Sequence, residues 1–361
     1  MGYLLDSFLS LFTLRWIQSP SFVPLPPTIN RTFIKTPSGD IELLVSAPSL
    51  EPGSPASVRN PPVLFVHGGF GHASVWLPWM TYLHHKQYSG TTYAVSIRGH
   101  GASWTPGFWR MYALTTKDTL ATDVVAAIEE IERREAGKRV VLVGHSSGGG
   151  LSQLILSKGL AKAQGLALVA AIPNFGSRGV YWNWFKLDPW FMIRSLFHLQ
   201  HPRSPLSSDT LVHNAFFSQA FPQDKVREFS RQMPAYESMA WPIGMMKRFT
   251  DVPSILANIQ GWGTSPSRVM VMAAEGDKLV SVKLMMDTAC EYREGVEGLS
   301  IRKKIEHVEL PQTESRISEN VKQDVKSGVT TVVVKGAGHH VQNDVQADEA
   351  AEALKRFLDQ L

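Results

Sequence analysis

Val140-Val-Leu-Val-Gly-His-Ser-Ser-Gly-Gly-Gly150 is the stretch on which the reading of this chain turns. Apolar β-formers run straight into Gly144-His145-Ser146-Ser147-Gly148, and the spacing predicts a helix over Ser147–Leu160. A serine with glycine two residues away on each side, between a buried strand and a helix, matches the nucleophile elbow. So tight a turn needs small neighbours and forces the serine into a strained backbone conformation, which lifts its hydroxyl above the edge of the sheet. A glycine-rich turn with Ser146 or Ser147 as a plain helix N-cap has the same five letters. The rest of the chain has to supply the chemical partners.

Outward from this turn, strand-like and helix-like runs alternate. Val63–Val66 is uniformly apolar, the mark of a strand buried on both faces, and ends at His67-Gly-Gly-Phe-Gly71 before a helix over Val75–Gln87. Tyr93–Ile97 ends at Arg98-Gly-His-Gly-Ala-Ser103. Thr115 with Asp118 reads as a capping box, opening a helix whose stripe is Leu120, Val124, Ile128 and Ile131, ending at Glu135. Arg139–Val143 feeds the elbow, and Leu166–Ile172 is the next strand. Further on, Val269–Ala273 precedes Glu275-Gly-Asp277 and a helix over Val282–Tyr292; Val329–Val334 precedes Gly336-Ala-Gly-His-His340. A closing helix over Val345–Leu361 carries Ala350, Leu354, Phe357 and Leu361 on one face. With Arg31–Thr36 and Ile41–Ala47 joined by a turn at Pro37–Asp40, the expectation is an α/β fold: a mostly parallel sheet of about eight strands with helices on both faces. Arg293–Ser327 is charged, without a clear period, and reads as a surface excursion.

The alternation breaks between Pro173 and Pro266, where Trp182, Trp184, Phe185, Trp190, Phe191, Phe197, Phe216, Phe217, Trp241 and Trp262 cluster. That is too long for a connection, so it reads as a helical subdomain inserted after the sixth strand. The expected organisation is an N-terminal helix and Pro-rich connector over 1–29, a core over 30–172 and 267–361, and the insert over 173–266.

Length and composition agree with one large domain carrying an insertion: 361 residues, 43 % hydrophobic and 19 % charged. A net charge of +4, with no basic block interleaved with aromatics, argues against nucleic-acid binding. The single cysteine, Cys290, rules out an internal disulfide framework, fits a reducing compartment, and reads as a buried or inert thiol. Tyr3–Ile17 is apolar but interrupted by Asp6 and Arg15, too short to span a bilayer, and without a basic leader or cleavage site. Asp6 stands where a myristoylation signal after Met1-Gly2 wants Ser or Thr, so a cytoplasmic location is expected. Leu4, Phe8, Leu11, Phe12 and Arg15 fall at helical spacing. They predict an amphipathic helix packed on the body or on a second copy in a homodimer, with weak interfacial membrane contact as the alternative.

Ser146, Asp277 and His339 all follow predicted parallel strands, at the edge where ligands bind in open α/β sheets. Their chain order, with the elbow, resembles the α/β-hydrolase fold. The resemblance covers Arg31–Leu361 and rests on the motifs at His67–Phe70, Arg98–Ser103, Gly144–Gly148, Glu275–Asp277 and Gly336–His339. It implies Ser146 as nucleophile, His339 as the base that takes its proton, and Asp277 as the carboxylate that fixes the imidazole tautomer. It also implies an oxyanion hole of backbone N–H groups, from Ser147 and from Gly69 with Phe70 as alternative, at about 3–4 kcal/mol per donor. For Ser147 the backbone N–H, not the hydroxyl, is the group expected to matter.

Other residues compete for these roles. His340 neighbours His339, and Glu275 neighbours Asp277; Asp123 lies in a helix and reads as a structural partner. His67, His100 and His145 read as scaffold histidines. His84-His85, His198 and His201 lack companions at metal-ligand spacing, and neither a metal nor a cofactor is expected. Phe70, Trp182, Trp184, Phe185 and Trp190 are candidates for an apolar wall over Ser146, or for plain subdomain core. An aspartate at the elbow would suggest epoxide hydrolases or dehalogenases. Serine enzymes of similar build are esterases, lipases, lactonases, thioesterases and carbon–carbon-bond hydrolases, and the insert resembles their lid or cap. The expected reaction is cleavage of an ester, lactone or thioester of a bulky apolar or aromatic small molecule through an acyl-enzyme. The alternatives are carbon–carbon-bond hydrolysis or polyketide release or cyclisation in specialised metabolism, and a non-hydrolytic ligand-binding member of the fold.

Overall fold

Five runs are buried at every residue: Val63–Val66 (β3), Thr92–Ser96 (β4), Val141–His145 (β5), Gly165–Val169 (β6) and Val269–Ala274 (β7). Strands with no polar face must be covered on both sides. In the computed structural model, which describes residues 5, 8–12, 14, 20–48, 60–303 and 313–361, they form the centre of a single sheet. The other strands are Asn30–Thr36 (β1), Gly39–Ser46 (β2), Thr313–Arg316 (β8), Val321–Lys326 (β9) and Val329–Val334 (β10). The order of the ten strands is β1-β2-β4-β3-β5-β6-β7-β10-β9-β8. Pairing is parallel from β4 through β10 and antiparallel at both margins.

The sheet has two strands more than the eight read from sequence, and both lie in the polar stretch before β10. In β9, Val321, Gln323 and Val325 are buried while Lys322 and Lys326 are exposed, a period-2 pattern masked by its charges. The helix before this hairpin also outruns its expected end at Tyr292 and continues from Val282 to Lys303. Gly295 does not stop it because that glycine is a packing site: a Cβ there would stand 2.8 Å from both Leu256 Cδ1 and Val252 Cγ1.

In chain order the helices are Leu77–His85 (α1), Lys117–Arg134 (α2), Ser146–Ser157 (α3), Arg178–Leu187 (α4), Phe191–Phe197 (α5), Asp209–Phe216 (α6), Gln223–Gln232 (α7), Ala240–Gly244 (α8), Val252–Ala257 (α9), Val282–Lys303 (α10) and Ala347–Leu358 (α11). The N-cap of α2 is Thr116, one residue later than the sequence pattern placed it, and its side chain accepts from the Thr119 N–H. The apolar stripe of α2 is buried as expected. The insert is helical among the described residues, with one exception to its expected bounds. Helix α9 packs on α3 and α10 with Ile255 and Leu256 fully buried, so it belongs to the core layer.

Of the N-terminal spacing, Leu4 and Arg15 lie outside the described residues, as does Met1-Gly2. Phe8 meets the Trp190 ring at 5.3 Å and Phe12 meets Phe197 at 5.9 Å, so this segment packs on the insert. No described helix is long and apolar enough to cross a membrane. Cys290 is exposed rather than buried, and its contact with Glu294 raises the thiol above its usual value, which suppresses the reactive thiolate.

The tightest packing in the core is where α3 meets β3. A Cβ on Gly148 would lie 2.2 Å from the His67 carbonyl oxygen and 2.5 Å from that of Val66. Backbone cannot yield as a side chain can, so Gly148→Ala is expected to lower unfolding stability by about 3 kcal/mol or more. Gly107→Ala, where a Cβ meets nothing within 4 Å, is expected to change it by about 0.5 kcal/mol or less. Denaturant melts of the two variants test this, and equal midpoints would refute the packing argument.

Candidate active site

Ser146 is the first residue of α3 and has φ of 51°, in the left-handed region that a side chain disfavours. Its neighbours leave no alternative. A Cβ on Gly144 would lie 2.5 Å from Gly149 Cα, and one on Gly149 would lie 2.4 Å from Ala171 Cβ. His145 is the N-cap residue and makes no side-chain cap, so neither serine is there to cap the helix. The turn has the strained geometry expected of an elbow, and neither serine caps the helix.

The loops after β7 and β10 bring the two other residues to this hydroxyl. His339 Nε2 is 3.0 Å from Ser146 Oγ, and His339 Nδ1 is 2.7 Å from Asp277 Oδ2. The second Asp277 oxygen accepts the backbone N–H groups of Leu279 at 2.7 Å and Val280 at 2.9 Å. An ionised carboxylate can only accept, so Nδ1 carries the imidazole proton and Nε2 is left to accept from the serine. His340 points the other way, into the Phe216, Phe217 and Phe229 rings. Glu275 only accepts the Gly336 N–H, at an exposed edge.

Two contacts fix the histidine loop. His145 Nε2 lies 2.9 Å from the His339 carbonyl. Asp344 accepts the Gly338 N–H at 2.8 Å and, from the insert, the Ser218 N–H at 2.7 Å and the Ser218 hydroxyl at 2.6 Å. Asp123 is structural, as read: it accepts from the Arg98 backbone and guanidinium. His67 accepts the Ile97 N–H at 3.2 Å and is likewise scaffold.

The turn after β3 differs from expectation. The Gly69 N–H donates to the Ser147 hydroxyl at 2.8 Å, so that hydroxyl occupies one of the expected oxyanion donors. The Phe70 N–H, the alternative donor, goes to Glu237 Oε2 at 2.9 Å, and Phe70 itself has φ of 62°. The backbone N–H of Ser147 lies in the first turn of α3, where helices leave such groups without an internal partner.

Glu237 was invisible in the sequence because its partners are far away in the chain. It is buried, comes from the insert, and accepts from His100 Nε2 at 2.9 Å besides Phe70, while its other oxygen accepts the Ser238 N–H at 2.9 Å. His100 Nδ1 faces the Arg98 carbonyl at 2.9 Å. Both ring nitrogens of His100 meet acceptors, so the ring holds both protons. Burial opposes either charge, but the attraction within the pair outweighs it, raising His100 and holding the Glu237 carboxyl below its usual range.

A cavity over Ser146 is lined by Gly69, Phe70, Ser147 and His339 from the core and by the inner face of α4 with Phe216, Trp241 and Met245 from the insert. Phe70 and Trp184 are where the aromatic candidates were expected. Trp182, Phe185 and Trp190 are not. Trp182 and Phe185 stack on each other at 5.8 Å with 58 % and 43 % of their surface exposed, and Trp190 packs against Phe8. The helical period explains the split: Ser177, Val180, Tyr181 and Trp184 recur at i, i+3, i+4 and i+7 and face the cavity, which turns Trp182 and Phe185 outward. That spacing was the available signal for the wall.

The alpha/beta hydrolase family model matches residues 63–353, and the chain belongs to that family. Among solved structures it is similar to a thermophilic esterase from Thermogutta terrifontis, with TM-score 0.59 and 16 % identity over 92 % of this chain and 100 % of the other. It is also similar to E-2-(acetamidomethylene)succinate hydrolase, with TM-score 0.55 and 17 % identity over 92 % and 99 % of the two chains. A third is an N-acyl homoserine lactone degrading enzyme, with TM-score 0.55 and 14 % identity over 91 % and 98 %. At these identities the likeness concerns the fold.

The buried histidines around the site make stability depend on pH. Burial pushes His67, His145 and His340 well below the ordinary imidazole value and His72 to about 4. Unfolding lets all of them take up protons below about pH 6.5, so their stability contribution is intact above that pH and drains as pH falls. His100 has the opposite sign, stabilising fully below about pH 6.5 and fading as pH rises through its raised value. Below about pH 6.5 His100 is protonated in both states, so the net uptake approaches about four protons, at most about 5 kcal/mol per pH unit. Thermal melts are expected to show Tm dropping steeply between pH 6 and 5, above the carboxylate range. A Tm flat from pH 7 to 5 would contradict this assignment of neutral histidines.

Proposed function

We propose that this chain is a serine hydrolase that cleaves an ester, lactone or thioester of an apolar or aromatic substrate through an acyl-enzyme. The observation that carries the reading is the directed hydrogen-bond chain from Ser146 through His339 to Asp277, on a serine held in strained backbone. A serine hydroxyl is a poor nucleophile at neutral pH, and His339 Nε2 is placed to take its proton as the Oγ–carbonyl bond forms. Asp277 then stabilises the imidazolium while remaining ionised. The tetrahedral oxyanion would receive the Ser147 N–H and, once the Ser147 hydroxyl turns aside, the Gly69 N–H. His339 returns the proton to the leaving group, and a water repeats the sequence to release the acid. The esterase and the lactone-degrading enzyme among the similar folds are in keeping with ester-type bonds, and the aromatic lining with Trp184, Phe216 and Trp241 suits an apolar acyl group.

A fluorophosphonate probe is expected to label Ser146, and Ser146→Ala to abolish labelling. On 4-nitrophenyl esters, Ser146→Ala and His339→Ala are each expected to lose about 10⁴-fold or more in kcat, and the double variant little beyond that, because the residues act as a unit. Turnover undiminished in Ser146→Ala would sink the proposal.

A further inference from the structure

The cavity wall beside Ser146 is mostly apolar, and its few polar groups are committed elsewhere or unmatched. The Ser177 hydroxyl donates to the Met245 carbonyl at 3.1 Å. Glu237 is a different case. A carboxylate offers about four acceptor positions. Oε2 uses its two on Phe70 N–H and His100 Nε2, and Oε1 uses one on the Ser238 N–H. The remaining position on Oε1 meets no donor among the described residues, in a residue that is 5 % exposed overall and lines the cavity. Trp241 lines the same wall with its ring, its indole N–H being buried away from the cavity. Tyr181 lines the same cavity, and burial together with the negative charge of Glu237 keeps its hydroxyl protonated.

An open acceptor position on Glu237 and the protonated phenol of Tyr181 in one apolar wall call for a group that both donates and accepts, and a hydroxyl is the simplest. We propose that Glu237 and Tyr181 form a hydroxyl-recognition subsite, and that the substrate carries a neutral alcohol or phenol close to its scissile carbonyl. This rests on the hydrolase reading above and adds the substrate class. Charge favours an alcohol over an ammonium group: Glu237 is already balanced by the His100 imidazolium, so a cation beside the pair would be uncompensated. Placement near the carbonyl follows from the backbone. Glu237 grips the N–H of Phe70, next in the chain to the Gly69 oxyanion donor, and Oε2 would stand 3.8 Å from a Cβ on Gly69. The simpler role for Glu237, a latch tying the insert to the core, predicts an effect common to all substrates; a subsite predicts an effect on one class.

Matched 4-nitrophenyl esters of one chain length, bearing hydrogen, hydroxyl or methoxy at the 2- or 3-position, separate the two. The wild-type protein is expected to prefer a hydroxy ester over its hydrogen and methoxy partners by about ten- to a hundredfold in kcat/KM. Glu237→Gln puts a donor where the acceptor was, so the preference for hydroxyl over methoxy is expected to collapse to within about threefold, whatever happens to the absolute rates. Should that variant fail to fold, as a thermal melt would show, Tyr181→Phe is expected to narrow the same ratio several-fold. Equal turnover of the three esters by the wild-type protein overturns the subsite. So does a Glu237→Gln variant that slows all three alike, which is the signature of a latch. Absence of both fluorophosphonate labelling and ester turnover in the wild type would instead bring down the hydrolase reading, and the subsite with it.

Discussion

Gly148 has the carbonyl oxygens of Val66 and His67 where its side chain would be, and this single close approach dictates most of what surrounds it. It lets the first turn of α3 lie against the end of β3, which brings the Gly69 turn to Ser147. It also leaves the chain between β5 and α3 no route except through positive φ at Ser146. The strain there is of order 1–3 kcal/mol and persists only because the packing around it over-determines the turn. β5 is paired on both sides, with β3 and β6, so the strand that delivers the serine cannot shift to relieve it. Rigid sheet on one side and close-packed helix on the other convert a glycine pattern into a serine held at the floor of the cavity.

A second level of order comes from buried carboxylates. Asp277 turns both of its oxygens toward donors and thereby selects the tautomer of His339. Asp344 does the same between the histidine loop and Ser218 of the insert. Glu237 reaches from the insert to the opposite side of the site, to Phe70 and His100. The insert is therefore fastened on both flanks of Ser146, by groups whose desolvation is offset only while their partners stay in place. Movement of the insert away from the core has to break charge-assisted bonds, which favours a site that stays assembled between encounters with substrate.

The parts of this arrangement that could be read from sequence are those that local sterics dictate. Glycines around Ser146, apolar runs before each loop, and the order of Ser146, Asp277 and His339 all express constraints between residues close in the chain, and each is where it was expected. Glu237 could not be read, because nothing local marks it: its partners Phe70 and His100 lie 167 and 137 residues away. The insert's aromatics were legible as a set but were sorted wrongly, since composition says that rings are plentiful while only helical phase says which face they occupy. Trp184 and Tyr181 share a phase with Ser177, and Trp182 does not. The β8–β9 hairpin was missed for a related reason. Its inward residues alternate with lysines, and charge obscured a period that Val321 and Val325 do carry.

The Ser147 hydroxyl on the Gly69 N–H gives the proposed reaction a further physical feature. A neutral carbonyl oxygen gains little over the hydroxyl as an acceptor, because both make ordinary hydrogen bonds of about 1 kcal/mol net. An oxyanion makes a charge-assisted bond roughly twice as strong. Exchange of the hydroxyl for the substrate oxygen is therefore close to neutral in the ground state and favourable only as negative charge develops. A donor kept occupied in this way contributes to kcat rather than to substrate affinity, which is where binding energy accelerates a reaction. The hydroxyl beside the nucleophile, set aside in the sequence reading in favour of its backbone, is by this argument what keeps the Gly69 N–H satisfied until the oxyanion forms.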